Sequence, residues 1–292
     1  MIVVFGSVNL DLIFRLPRIP APGETILGPA TDQEPGGKGA NQALAAARDG
    51  ARVVMAGAVG QDALADAALA LLRQEGVDLT RLARVPASTG CAAIGVDPAG
   101  RNAIMVGSGA NLHARADQVE DALLGPGTTL LLQMEVPVEE NVALIARARA
   151  RGARIVLNLA PAAPLPAEAL RALDLLLVNE PEAEWIGAHL GTAADAAALR
   201  GALGIDVVRT LGGDGLETAT AAGVLRLPAH PIHPLDTTAA GDCFAGVLAA
   251  SLDRGLALPH ALRRANVAAG LACTRPGSQR SLPTAPETDA AL

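Results

Sequence analysis

Tyrosine is absent from this chain, and one tryptophan and three phenylalanines are its only aromatics among 292 residues. Aromatics at 1% leave no stacking platform for single-stranded nucleic acid. A net charge of −7 and a pI near 5.3 leave no extended positive field for a phosphate backbone. Nucleic acid is therefore not an expected partner. The three cysteines, Cys91, Cys243 and Cys273, are odd in number, far apart and without a CxxC spacing. That pattern speaks against a disulfide frame or a zinc site and predicts a reducing, cytoplasmic setting. No run approaches the ~20 apolar residues needed to span a bilayer. The opening MIVVFGSVNLDLIF lacks a basic region and is interrupted by Ser7, Asn9 and Asp11, so it reads as a buried strand. No membrane association is expected.

Lysine is the scarcest charge. Of the 23 Lys and Arg residues a single one is lysine, Lys38, set among glycines in EPGGKGANQ. Lysine and arginine differ in geometry and hydration, so a compact ammonium kept beside flexible backbone points to contact with a small ligand.

What is abundant is aliphatic. Hydrophobic residues make up 50% of the chain, so the core is built from Ala, Val, Leu and Ile, a composition that favours helices against a parallel sheet. Short apolar runs at 2–8, 52–59, 128–134, 154–159, 174–179 and 205–212 alternate with helical stretches near 38–49, 62–75, 116–124, 138–151, 181–188 and 193–203. The rhythm predicts a three-layer α/β/α fold around a mostly parallel central sheet, with active-site residues at the carboxyl ends of the strands. Two more helices are expected near 240–254 and 259–273, followed by an irregular tail marked by Pro276, Pro283 and Pro286.

Two stretches break the rhythm. Residues 11–35, rich in proline, read as short strands and turns, and residues 89–107 as a hairpin turning at Asp97 to Asn102. Paired, they make a small β-sheet lid. The expected division is a main domain of residues 1–10, 36–88 and 108–292, with a lid of 11–35 and 89–107.

The strongest local motif is DTTAAGDCFAGVLAA at 236–250. Small residues Ala239, Ala240 and Gly241 lead into an Ala/Leu helix opened by Asp242. A phosphate can approach the free N–H groups of such a helix start, where the macrodipole also favours negative charge. Other polar residues stand at strand exits or helix entries: Asn9 and Asp11, then Gly36, Gly37, Lys38 and Asn41, then Glu135, Asn179 and Glu182. Each alone reads as a cap or turn residue. Their convergence points to a site.

The common nucleotide fingerprints are missing. GGKG is no Walker loop, because Asp32 stands where the first glycine belongs and Gly39 follows Lys38 in place of Ser or Thr. Neither GSVNLD nor LGGDG, at 211–215, has the GxGxxG spacing. The latter reads as a strand-to-strand turn, either a plain loop or a nucleotide cradle. His230 and His233 lie in PAHPIHP, where the prolines preclude a helix that would align them as metal ligands. Ser7 and Cys243 lack a histidine partner in sequence, so nucleophilic catalysis finds no support.

Nearly end to end, the chain resembles the ribokinase-like (PfkB) family of carbohydrate kinases. The resemblance rests on GSVNLD, PAPGET, GGKGANQ, GSGAN, LLLQMEVP, LNLAPA, VNEPEAE, TLGGDG and DTTAAGD, with GGKGANQ and DTTAAGD the specific pair. It implies transfer of the γ-phosphate of ATP to the 5-hydroxyl of D-ribose. Asp242 would be the base, and the N–H groups of Ala239, Ala240 and Gly241 would hold the phosphoryl group. Asn9, Asp11, Gly37, Asn41 and Glu135 match positions holding the sugar, with Lys38 in the same loop. Asn179 and Glu182 match a motif linked to Mg²⁺ and phosphate, and Thr210, Gly212, Gly215 and Asn266 fall where ATP is expected. Asp236, Thr238, Ala272, Arg275, Gly277 and Ser281 match the segments around a monovalent cation, K⁺ in expectation, supplied mostly by backbone carbonyls.

The resemblance also implies a homodimer through the lid, whose outer face Ile13, Phe14, Ile94 and Ile104 would make apolar. Many relatives carry glycine at position 239. Because alanine disfavours positive φ, the loop is expected to keep Ala239 in a conventional region. A kinase for 2-deoxyribose, another small sugar or a nucleoside is the alternative within the class. A sugar-binding regulator without catalysis is the alternative outside it, and the intact Asp242 and glycine loop speak against that one.

Overall fold

Alternate residues of the first strand enter two different cores. Ile2 and Val4 join one buried cluster, Val3 and Phe5 another. Only a strand covered on both faces does this. The computed structural model describes residues 1–292. Its first elements are β1 (Ile2–Phe5), β2 (Asn9–Arg15), β3 (Ala30–Gly36), α1 (Lys38–Arg48) and β4 (Val53–Gly60). Next come α2 (Ala63–Ala68), α3 (Ala70–Gln74), β5 (Asp78–Val85), β6 (Gly90–Val96), β7 (Asn102–Gly107) and β8 (Thr129–Leu132). The middle holds α4 (Val138–Arg151), β9 (Arg154–Asn158), α5 (Ala167–Arg171), β10 (Leu175–Val178), α6 (Glu180–Leu190) and α7 (Ala196–Leu203). The last are β11 (Asp206–Thr210), β12 (Leu216–Thr220), β13 (Gly223–Leu227), α8 (Ala240–Asp253), α9 (Leu258–Ala272) and α10 (Ala285–Ala291).

Nine strands form the main sheet in the order β13-β12-β11-β10-β9-β8-β1-β4-β5. All neighbours from β11 to β5 are parallel, and β12 and β13 close one edge antiparallel. On one face α1, α8 and α9 bury Leu44, Leu248 and Leu262; on the other α4, α6 and α7 bury Leu144, Ile186 and Leu199. Each such side chain contributes about 1.5–3 kcal/mol, so the three layers rest on aliphatic burial, as the composition implies.

One close approach sets the site. A Cβ on Gly246 would lie 2.4 Å from the carbonyl oxygen of Gln42. Glycine therefore lets α8 press against α1, which brings the start of α8 beside Asn41 and Gln42.

A second sheet, β3-β2-β6-β7, stands apart. The two irregular stretches do pair: β2 runs parallel to β6 from Asn9↔Gly90 to Arg15↔Val96, and β6 and β7 form the expected hairpin. Its outer face differs from expectation. Only Ile104 of the four named residues is exposed; Ile13, Phe14 and Ile94 are half-buried, exposed Val106 shares the face of β7 that Ile104 occupies, and exposed Met105 lies on the opposite one.

Other departures have local causes. The stretch 62–75 is two helices meeting at Leu69. Residues 116–124 form two 3₁₀ turns, Ala116–Gln118 and Asp121–Leu123, in place of an α-helix. The tail is not irregular throughout, because Thr284 and Glu287 cap α10 reciprocally and Pro286 sits in its first turn, where a missing N–H costs nothing. Strand β5, edge strand β13 and the short helix α5 have no counterpart in the rhythm read from the sequence.

Candidate active site

The loop before α8 holds Ala239 at φ 58 and ψ 12, the only non-glycine residue with positive φ. The expectation that Ala239 keeps a conventional conformation is thus overturned. Left-handed backbone costs an alanine about 1–2 kcal/mol, and such strain gathers where geometry matters. Here it turns the Ala239 carbonyl to accept from the N–H of Cys243 at 2.8 Å, opening the helix. The N–H groups of Ala239 and Gly241 donate to no protein acceptor, while that of Ala240 reaches the carbonyl of Thr237 at 3.3 Å.

Asp242, 6% exposed, follows in the first turn. Its Oδ2 accepts from Asn41 Nδ2 and its Oδ1 from Gln42 Nε2, both at 2.9 Å. The chain of bonds continues inward: Gln133 Nε2 donates to Gln42 Oε1 at 2.8 Å, and Asn141 Nδ2 to the Gln133 carbonyl at 2.7 Å. Buried amides thus fix the carboxylate in rotation. Sequence reasoning missed Gln42, Gln133 and Asn141 as supports. Gln133, polar inside the apolar run LLLQM, was the available signal.

The residues expected at the sugar gather beside this network. Asn111, fully buried, donates from Nδ2 to Asn9 Oδ1 at 2.7 Å and accepts from the N–H of Val8 at 2.9 Å, so it orients Asn9. Glu135 Oε2 accepts from Ser7 Oγ at 2.5 Å and from the Lys38 N–H at 3.0 Å. It caps α1, whose N-cap Gly37 has no side chain to do so. Burial, then Glu135, Glu34 and Asp242, push the Asp11 carboxyl up to about 7. The Asp242 carboxylate raises Lys38 further above its ordinary value against the opposing effect of burial, with Glu135 and Glu182 adding to it. The sole lysine is thus the cation among these carboxylates.

Lys38 also lines a cavity of about 250 Å³ with Asn179, Glu182, Ala239, Gly241 and Asp242. Asn179 and Glu182 cap α6 reciprocally at 2.8 and 2.9 Å, which gives the motif a local role beside any ligand. Burial raises the Glu182 carboxyl. A cavity of about 400 Å³ adjoins and shares Thr210, Thr237, Gly241 and Phe244 with it. Gly212, Gly215 and Asn266 line this larger space, as does His230, which the sequence left without a role. Asn266 Nδ2 donates to the Pro228 carbonyl at 2.7 Å.

Asp236 joins two loops, accepting from the N–H of Thr238 through Oδ1 and of Gly277 through Oδ2, each at 2.9 Å. Burial opposes its ionisation, yet the Thr238 and Gly277 donors hold it below its ordinary value. Ser281 Oγ donates to the Ser278 carbonyl at 2.8 Å. The other two expected neighbours direct their side chains elsewhere: Ala272 into the core and Arg275 to Glu287 at 2.6 Å.

The sequence profile described as pfkB family carbohydrate kinase matches residues 1–285. The chain belongs to this family. A ribokinase of Haemophilus influenzae is 36% identical over 296 residues, covering 98% of this chain and 96% of that one. The crystal structure of a Thermotoga maritima ribokinase aligns with a TM-score of 0.91 at 30% identity, over 100% of this chain and 98% of that one. An Arabidopsis thaliana ribokinase, solved with ribose and ATP, gives 0.89 at 27% identity, over 99% and 97%. In this carbohydrate kinase the three-layer fold and the motifs that carried the resemblance therefore agree with family membership over the whole chain.

Proposed function

We propose that this kinase transfers the γ-phosphate of ATP to the 5-hydroxyl of D-ribose, giving ribose 5-phosphate. One observation carries the reading: Asp242 stands held through both oxygens between the polar cluster of Asn9, Asp11 and Asn41 and the two joined cavities. Beside it the buried Asn41 Oδ1 has no protein partner, which suits a sugar hydroxyl as its missing donor. Asp242 takes the proton as the 5-oxygen attacks. The proton acceptor, the N–H groups of Ala239 and Gly241, and the Lys38 ammonium meet the positioning and charge demands of phosphoryl transfer. Asn9, Asp11, Gly37 and Glu135 orient the sugar, and Thr210, Gly212, Gly215 and Asn266 the nucleotide.

No group of three His, Cys, Asp or Glu side chains converges as a preformed metal cage. That fits Mg²⁺, which is commonly held by one or two carboxylates plus substrate phosphates. Glu182 and Asn179 would hold it, and it would neutralise phosphate charge. Asp236 with backbone carbonyls near Thr238, Ala272, Arg275, Gly277 and Ser281 would surround K⁺. Residues 11–35 and 89–107 act as lid, and Ile104 and Val106, exposed on one face of its edge strand β7, suit a homodimer contact. No helix is long and apolar enough to cross a membrane, and the three free cysteines suit a cytoplasmic setting.

A coupled ADP-release assay with ATP, Mg²⁺ and a panel of sugars tests this. Ribose is expected to give the highest kcat/KM. Preference for 2-deoxyribose would move the substrate, and no turnover with any sugar would reject catalysis.

A further inference from the structure

Two carboxylates from distant parts of the chain close on two consecutive backbone N–H groups. Asp236 accepts from Gly277 at 2.9 Å, and Glu34 Oε2 accepts from Ser278 at 3.0 Å. Glu34 belongs to β3 of the small sheet, whereas Asp236 begins the loop that ends at Ala239. The fit is tight: a Cβ on Gly277, at φ +91, would lie 2.7 Å from Glu34 Oε2. Ser278 Oγ adds a bond to the Pro35 carbonyl at 2.8 Å. From the other side Arg48 Nη1 donates to the Gln279 carbonyl at 2.9 Å. The segment 277–279 is therefore gripped by the small sheet, by α1 and by the loop before α8.

Glu34 also faces the site. In the β2–β3 pairing it stands directly opposite Asp11, and its charge is one of those acting on the Asp11 carboxyl. Cross-strand partners share a face of the sheet. A continuous path thus runs from Asp11 across the strands to Glu34, through Ser278 and Gly277 to Asp236, and on to the Thr238 N–H beside strained Ala239.

We propose that Glu34 is a positioning residue that couples the small sheet to the loop before α8, so that sugar held at Asp11 favours the arrangement of Ala239 to Gly241 required for phosphoryl transfer. The proposal rests on the sugar-kinase reading above. It asks Glu34 to act through the Ser278 N–H and not to touch substrate. Its carboxylate matters as an acceptor, so an amide oxygen at the same reach can replace it. Coupling between sites is commonly worth about 5- to 150-fold.

The test compares wild type, Glu34→Gln and Glu34→Ala by steady-state kinetics and by hydrogen–deuterium exchange with and without ribose. Glu34→Ala is expected to lower kcat about tenfold, within that coupling range, with a smaller change in the KM for ATP; Glu34→Gln should restore most of the loss. In wild type, ribose should slow exchange in peptides covering 236–241 and 275–282, and in Glu34→Ala that protection should disappear while peptides near Asn9 remain protected. Unchanged kcat in Glu34→Ala, or equal loss in both variants, overturns the role. Should the alanine variant not fold, the wild-type measurement still decides, because no ribose-dependent protection of 275–282 rejects the coupling. A wild type that turns over another sugar moves the substrate and leaves this test to be read with that sugar.

Discussion

Gln42 donates from Nε2 to Oδ1 of Asp242 across 2.9 Å, and its own Oε1 accepts from Gln133. A residue of α1 thus sets the rotation of a carboxylate on α8. The contact exists because Gly246 lets the two helices meet at the Gln42 carbonyl.

Asp242→Asn should fold and bind nucleotide yet lose most turnover, since a general base supplies about 10²- to 10⁴-fold. Gln42→Leu should lose less, because Asn41 still holds the other oxygen. Its cost would fall on kcat more than on KM, and steady-state kinetics of both variants separate these effects. Turnover near wild type in Asp242→Asn would remove that residue from the mechanism.

The raised Asp11 carboxyl has a signed consequence. Its folded value, about 7, lies above the ordinary 3.8, so the folded state prefers the protonated form. The stability it contributes is complete below the ordinary value and is lost as pH rises through about 7. Asp11→Asn should therefore raise the melting temperature of the sugar-free protein at pH 8, by about 2–4 °C for each kcal/mol relieved, and change it little at pH 4. The same variant should bind ribose more weakly. Equal melting shifts at both pH values would show that charge is not the cause.

Lys38→Arg keeps charge and changes shape. The ammonium sits among Asp242, Glu135 and Glu182 and lines the smaller cavity, a space in which a planar fork demands different partners. We expect kcat to fall at least about tenfold, equivalent to 1.4 kcal/mol of barrier, with the fold intact by circular dichroism. Full activity would make the solitary lysine incidental.

The mostly parallel central sheet was legible, though not the order of its strands, because strands buried on both faces write unbroken apolar runs, as TTLLLQM and DLLLVN do. The site's polar ends were legible for the same reason: Asn9, Glu135 and Asn179 interrupt or end such runs. The supports were not. Asn111 acts through Asn9 across 102 positions and Gln133 through Gln42 across 91, and no local pattern records such pairs. The link from Glu34 to Ser278 spans 244 positions and was equally silent. Residues 116–124 misled because apolar spacing there suits a helix, whereas Gln118 turns inward to donate to the carbonyls of Gly57 and Arg81 at 2.6 and 3.0 Å.

Ala239 offers the sharpest check on the loop before α8. Sequence logic placed this alanine in ordinary backbone, yet it occupies φ 58. Glycine has no Cβ to oppose that conformation, but it also gains freedom in the unfolded chain, an effect of about 0.4–1 kcal/mol. The two terms oppose, and a strain of about 1–2 kcal/mol exceeds the entropic loss. Ala239→Gly should therefore stabilise the protein by up to about 1 kcal/mol and leave kcat within about twofold, because the N–H directions are kept. Ala239→Val, β-branched and strongly opposed to positive φ, should destabilise the protein and lower kcat by displacing the N–H groups of Ala239 and Gly241. Thermal melts and kinetics of the pair decide it: destabilisation by glycine, or full activity with valine, would show that the left-handed turn is not the working conformation.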